Sequence, residues 1–364
     1  MMLQQDQITR STDYDALACR FSCLLKNYLQ DRYLEAIISG TLKYQLLAID
    51  SEYKRLAVRR QLSKQFFGLF DGTGKAKVTS KQPVVLKSPV INRGTWIRTR
   101  AIDLVVDKWL AAKTATPVQI LILGCGSDTR GMRLLENNSN LTVVEIDFEE
   151  TCRIKKYSIL DQELLRSTVG AQPEPLPTTV EQFNASSAAL DTPRYHLVPL
   201  DLRQLSSMAQ LPAVDPSLPT LVLSECCVCY MEDVESDRVL RFLRENLAEA
   251  VLVVYDPIGG DSQGNYGEIM LKNLSMRGIQ MPSLLKYSTI EKQHERLQKL
   301  GFESTNVSDL SYIYSHWISE DELTAINRLE LLDELEELNL INRHYCLIVS
   351  SWGSPWRLPL PSQI

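Results

Sequence analysis

From Val118 onward the chain alternates short, mostly apolar and β-branched runs with segments of helical periodicity. The runs are Val118 to Leu123, Leu141 to Ile146, His196 to Leu200, Thr220 to Leu223 and Val251 to Val254, followed near the end by His344 to Val349. Apolar residues at successive positions, rather than alternate ones, are what strands need when helices cover both faces of a parallel sheet. The expected architecture is α/β, a doubly wound, mostly parallel sheet with His344 to Val349 as its last strand. A Pro-, Ser-, Thr- and Ala-rich stretch at about 162–194 breaks the alternation and reads as an insertion over the sheet edge. Helical patterns at Tyr266 to Ile279, Thr289 to Leu300 and Glu320 to Ile341 read as additions at about 260–341. Before the strands the texture differs. Tyr14 to Tyr33 and Tyr53 to Phe70 read as helices, the second dense in Lys and Arg, and Gly72 to Pro89 as a basic connecting loop. Residues 1–90 are thus expected to be a helical lid with its connection, and residues 91–364 the main domain.

Polar residues gather where the apolar runs stop: Gly124, Asp147 and Asp201 end three of them, and Glu225 closely follows the fourth. In an open α/β sheet ligands bind outside the carboxyl ends of the strands, so these groups are placed for work. Leu121-Ile122-Leu123-Gly124-Cys125-Gly126 runs a strand into glycines, which permit a tight turn and close approach of a ligand to the main chain. A dinucleotide fingerprint has a third glycine at the position held by Thr129. Here the loop continues Ser127-Asp128-Thr129, which fits a phosphate-free nucleoside better. Asp147 is spaced to accept from ribose hydroxyls, a role that supports adenosine without choosing the cofactor. Asp201 suits an adenine amine, with a helix N-cap as the alternative. Glu225 suits an ammonium, and nearby Tyr230 a wall of the reacting centre.

Composition changes the picture little. The chain has 364 residues, 44% hydrophobic and 23% charged, enough for a sizeable core, and its net charge of −6 argues against general affinity for nucleic acid. No secretory pattern opens it and no apolar run approaches the roughly 18 residues of a membrane span, so cytosol or nucleus is expected. Its eight cysteines then read as reduced thiols. Cys226, Cys227 and Cys229 lack the second ligand pair of a structural zinc site, so no metal is expected.

Several segments together resemble the leucine carboxyl methyltransferases: Asn92-Arg93-Gly94-Thr95-Trp96-Ile97-Arg98, Gly124-Cys125-Gly126-Ser127-Asp128, Glu145-Ile146-Asp147, Ser224-Glu225-Cys226 with Tyr230-Met231, and Tyr255-Asp256-Pro257-Ile258-Gly259-Gly260. Leu329 to Glu337 and Arg343-His344-Tyr345 match as well. The resemblance implies a class I S-adenosylmethionine-dependent methyltransferase fold with a seven-stranded sheet. It implies methylation of the C-terminal leucine carboxylate of type 2A protein phosphatase catalytic subunits, bound through their C-terminal tail. It also implies S-adenosylmethionine contacts at Arg98, Gly124, Asp147, Asp201, Leu202 and Glu225, with Arg20 where a lysine is usual in the family. The expected assembly is a monomer.

A C-terminal carboxyl group, with a pKa of about 3.3 to 3.7, is ionised at neutral pH and attacks a methyl group without a general base. Accordingly none of His196, His294, His316 and His344 follows the glycine loop or Glu225. Arg98 is the expected clamp, since a guanidinium holds a carboxylate in a bidentate fork, and Tyr230 its companion at the reacting centre. Alternatives are the tRNA-modifying branch of the same family, which carries a further repeat-rich domain, an NAD-dependent oxidoreductase, and a noncatalytic phosphatase adaptor. The basic run Lys54, Arg55, Arg59, Arg60 and Lys64 reads as a solvated face or an acidic-partner contact.

Overall fold

The computed structural model describes residues 2–66, 86–260, 265–333 and 335–364. Among these residues, eight strands form one sheet: β1 (Val118–Leu123), β2 (Leu141–Asp147), β3 (Leu190–Asp191), β4 (Tyr195–Pro199), β5 (Thr220–Glu225), β6 (Ala250–Pro257), β7 (Ser304–Asp309) and β8 (Tyr345–Trp352). Their order is β3-β4-β2-β1-β5-β6-β8-β7. Strands β4, β2, β1, β5 and β6 are parallel, while β8 is antiparallel to both β6 and β7, and β3 to β4. This is the expected doubly wound sheet, with eight strands where seven were expected. The two that the apolar runs did not mark are edge strands. β3 belongs to the insertion, and β7, Ser-Thr-Asn-Val-Ser-Asp, has polar residues where a two-sided strand would be apolar. At that edge the backbone of Val307 exchanges hydrogen bonds with Ile364, which covers otherwise open strand groups.

Alternate residues of the central strands enter two cores. Ile120, Ile122, Val143, Leu221 and Val251 pack on one face with residues of α1 (Met2–Leu25), α2 (Leu34–Leu47), α4 (Pro89–Ala111) and α6 (Glu149–Asp161). Leu121, Leu123, Val144, Val222 and Leu252 pack on the other with Leu205, Val239, Leu243 and Leu297. Each such fully buried side chain contributes about 1.5–3 kcal/mol. Two further helices are α3 (Glu52–Gln65) and α5 (Arg130–Asn137). The chain steps from β1 to β2 and β4 on one side, then to β5 and β6 on the other, so β1 and β5 flank the switch point. Leu123 is in register with both Ile146 and Ser224. Gly124, Asp147 and Glu225 therefore emerge at one edge, where such a sheet binds ligands.

The helices differ from expectation in three places. α1 begins at Met2 and ends at Leu25, short of the expected Tyr33, and α2, buried at Leu34, Ile37, Ile38, Thr41, Leu42 and Tyr44, was not foreseen, its stripe being interrupted by Ser39-Gly40-Thr41. The expected helix Glu320 to Ile341 is two, Glu320–Asn327 and Leu335–Asn342, with Glu330 between them bonded to Lys26 and Asn92. Phe67 to Phe70 and Gly72 to Val85 lie outside the described residues, as does the Lys64 side chain.

One buried ion pair fixes the sheet to α6 and to the glycine loop. Lys155 Nζ lies 2.5 Å from Glu145 Oε2 and donates to the Asp128 carbonyl at 2.9 Å, while the Tyr195 hydroxyl donates to Glu145 Oε2 at 2.7 Å. Both charged side chains are essentially inaccessible, at 1% and 0% exposure. Removing one partner of such a pair leaves an uncompensated charge, which costs about 3–5 kcal/mol. Glu145→Gln is expected to lose that much in urea unfolding followed by circular dichroism; a loss below about 1 kcal/mol would contradict the role given to the pair.

Candidate active site

A cavity of about 820 Å³ opens at the switch point, lined by the glycine loop, the ends of β2 and β5, the segment around Asp201 and one side of α1. Every residue expected to form the site borders it: Arg20, Arg98, Gly124, Asp147, Asp201, Leu202, Glu225 and Tyr230. Among the described residues, no His or Lys lines it.

The glycine loop is held from both sides by carboxylates. Asp147 Oδ2 accepts from the Gly126 amide at 2.8 Å and its Oδ1 from the Phe148 amide at 2.7 Å. Asp13, on α1, accepts from the Ser127 amide at 2.9 Å and the Ser127 hydroxyl at 2.6 Å. Gly126 has φ +44°, and a Cβ there would lie 2.4 Å from Asp13 Oδ1, so only glycine admits this docking of α1. Burial pushes the Asp147 carboxyl up to about 6 against the pull of its two amide donors, with Asp13 adding to the rise. Asp13 is raised too, chiefly by burial, against its bonds to Ser127.

The expectation about the third glycine needs correction. Gly131, not the position of Thr129, lets α5 approach the sheet: a Cβ there would lie 2.7 Å from Glu145 Oε1 and 3.0 Å from Val143 Cγ1. Its helix-packing role is filled, so a missing glycine does not argue against a dinucleotide. The carboxylates do, because the loop amides that would cradle a pyrophosphate already serve Asp13 and Asp147.

A chain of charges reaches the cavity at Arg20, Arg98, Asp128 and Glu225 and continues behind it. Arg98 Nε donates to Glu225 Oε1 at 2.5 Å, and its guanidinium lies 4.9 Å from the centre of the Tyr255 ring, which stacks on Tyr345. Arg130 Nη1 donates to Glu225 Oε2 and to Asp128 Oδ2, both at 2.8 Å, and its Nε to Asp103 Oδ1 at 2.9 Å. Arg20 reaches Asp31 at 3.0 Å and Asp128 at 3.7 Å. Burial pushes Glu225 up, but Arg98 and then Arg130 outweigh it and hold the carboxyl below its ordinary value. Asp201 caps the short helix Leu202–Ser207 through the Arg203 amide, the alternative foreseen for it, and it also borders the cavity. Its carboxylate is also forked by the Arg203 guanidinium at 2.6–3.0 Å. The Tyr230 hydroxyl meets Thr12 of α1 at 3.3 Å.

Arg93 and Arg100, neighbours of Arg98 in sequence, face elsewhere. Arg93 is buried against Asn327, and Arg100 pairs with Glu322. Asp13, Asp31, Asp103 and Arg130 escaped the sequence reading because their partners are distant in the chain. Arg130 alone left a signal: a cation in the first turn of a helix opposes the helix dipole and needs carboxylates nearby.

Residues 8–244 match the leucine carboxyl methyltransferase family. A Yarrowia lipolytica protein named leucine carboxyl methyltransferase 1 is 36% identical over 359 residues, 97% of this chain and 99% of its own. Proteins of that name from Candida albicans and Schizosaccharomyces pombe are similar too. The first is 33% identical over 96% of this chain and 93% of its own. The second is 35% identical over 74% and 84%. Among solved structures, the S-adenosylmethionine-dependent methyltransferase SibL in its apo form aligns at a TM-score of 0.42 and 12% identity, over 88% of this chain and 69% of its own. With sequence matches of this extent, the chain belongs to the leucine carboxyl methyltransferase family.

Proposed function

We propose that the protein transfers a methyl group from S-adenosylmethionine to the α-carboxylate of the C-terminal leucine of type 2A protein phosphatase catalytic subunits, in the cytosol or nucleus. The observation that carries this reading is a cavity presenting an anchored guanidinium, Arg98, with no His or Lys among the described residues that line it. That set suits an acceptor already ionised, which needs a clamp and no general base.

A phosphate-free nucleoside with a charged amino-acid end meets the donor set. Asp147 accepts from the ribose hydroxyls, Asp201 and Leu202 border the adenine, and Glu225 receives the ammonium on lone pairs its two arginines leave over. Bound S-adenosylmethionine supplies an electrophilic methyl carbon on a cationic sulfur. The chain's contribution is to hold the reactants in line, an effect that supplies roughly 7–11 kcal/mol in well-oriented systems. Arg98 holds a carboxylate, the cofactor's, the acceptor's or both. Tyr230 walls the reacting centre, and α1 keeps water out through bonds from Asp13 to the loop, Asp6 to Arg203 and Arg10 to Glu150.

The deciding experiment is transfer of labelled methyl to a type 2A catalytic subunit, beside one lacking its terminal leucine. Base-labile label on the intact subunit alone is expected; no label on either, with cofactor binding demonstrated, would refute the acceptor. Asp147 gives a pH signature. Because its folded value is raised from 3.8 to about 6, its protonated form is favoured when folded, and stability from this group falls as pH rises through that window. Only above it is the carboxylate a full acceptor for ribose. S-adenosylhomocysteine affinity measured by calorimetry is expected to rise about tenfold from pH 5 to 7, and to stay flat in Asp147→Asn; a flat wild-type profile would exclude this role. Asp13→Ala, which unties α1 from the loop, is expected to weaken S-adenosylhomocysteine about tenfold or more, and unchanged affinity would show that α1 does not close the site.

A further inference from the structure

Arg130 does not border the cavity, yet it joins three groups that shape it. Its side chain is 1% exposed, and its donors reach Asp103 on α4, Asp128 in the glycine loop and Glu225 at the end of β5. The Glu225 carboxylate is thereby divided: Arg98 takes Oε1 and Arg130 takes Oε2. A carboxylate held by one oxygen rotates; one held by both does not, and Arg98, bound through Nε to the fixed group, is turned with it. Asp103 adds a second tie to the helix that carries Arg98, so α4, the loop and β5 meet on one guanidinium.

Folding alone does not favour this arrangement. A cation in the first turn of α5 opposes the helix dipole, and a buried ion cluster is often no more stable than an apolar replacement of similar volume. What the cluster provides is geometry, since the planar guanidinium sets directions that a lysine ammonium does not. We infer that Arg130 is a positioning residue for methyl transfer: it fixes the Glu225 carboxylate, and through it Arg98, at the cavity. The inference rests on the function proposed above.

The test is a double-mutant cycle in the full chain, read as S-adenosylhomocysteine affinity. Arg130→Met and Glu225→Gln are each expected to weaken binding about tenfold or more, and the double variant to be no weaker than the worse single one. Losses that multiply would mean that Arg130 acts independently of Glu225 and would overturn the inference, as would unchanged affinity in Arg130→Met. Should the Met variant fail to fold by circular dichroism, Arg130→Lys keeps the charge without the fork. It is expected to lose part of the affinity and to show the same non-additivity; full affinity in a folded Lys variant would also overturn it. Cofactor affinity does not depend on the methyl acceptor. Non-additive losses in a protein that labels no phosphatase tail would therefore overturn the acceptor and leave the role of Arg130 standing.

Discussion

Guanidinium groups do not lose their charge on burial, so a site built on arginines must bring its own anions. Four arginines, Arg20, Arg98, Arg130 and Arg133, meet four carboxylates, Asp31, Asp103, Asp128 and Glu225, along one connected path at the switch point of the sheet. Arg20 comes from α1, Arg98 and Asp103 from α4, Asp128 from the glycine loop and Glu225 from β5. No single element can shift without breaking a charge pair in a poorly solvated place. The N-terminal helices, the loop and the sheet thus share one set of restraints, and the cavity takes its shape from them.

At the glycine loop the electrostatics turn negative. Asp13 and Asp147 both rest on the loop amides, and burial raises both. A wall of this kind disfavours a phosphate and suits a cationic ligand that carries hydroxyls. The doubly wound sheet is common to many chemistries. Here the choice among them lies in which groups claim the loop amides, and a carboxylate from α1 claims one of them.

Much of this was legible in sequence, for a physical reason. Strands buried on both faces are largely apolar, so β1, β2, β5 and β6 announced themselves, as did the shorter apolar run of β4, and the polar residues that ended these runs were the ones at the cavity. β7 was silent because an edge strand with solvent nearby tolerates serine, threonine and asparagine. α2 was silent because Ser39-Gly40-Thr41, all weaker helix formers, interrupt a stripe otherwise spaced as a helix. Asp13 and Asp103 were invisible as site residues because a carboxylate on a helix reads as surface until its distant partner is known. The third glycine was sought at Thr129 and found at Gly131, since what matters is where α5 touches Glu145 and Val143, not a fixed spacing.

In the proposed function a preformed charge network, with Arg98 at its open end, receives carboxylates over a nucleoside site marked by Asp147. The most direct measurement is a crystal structure of the protein with S-adenosylhomocysteine and a peptide ending in leucine. A ligand carboxylate on Arg98, ribose hydroxyls on Asp147 and an intact Arg98–Glu225–Arg130 bridge are expected. Carboxylates bound away from Arg98, or a ribose away from Asp147, would contradict the proposal.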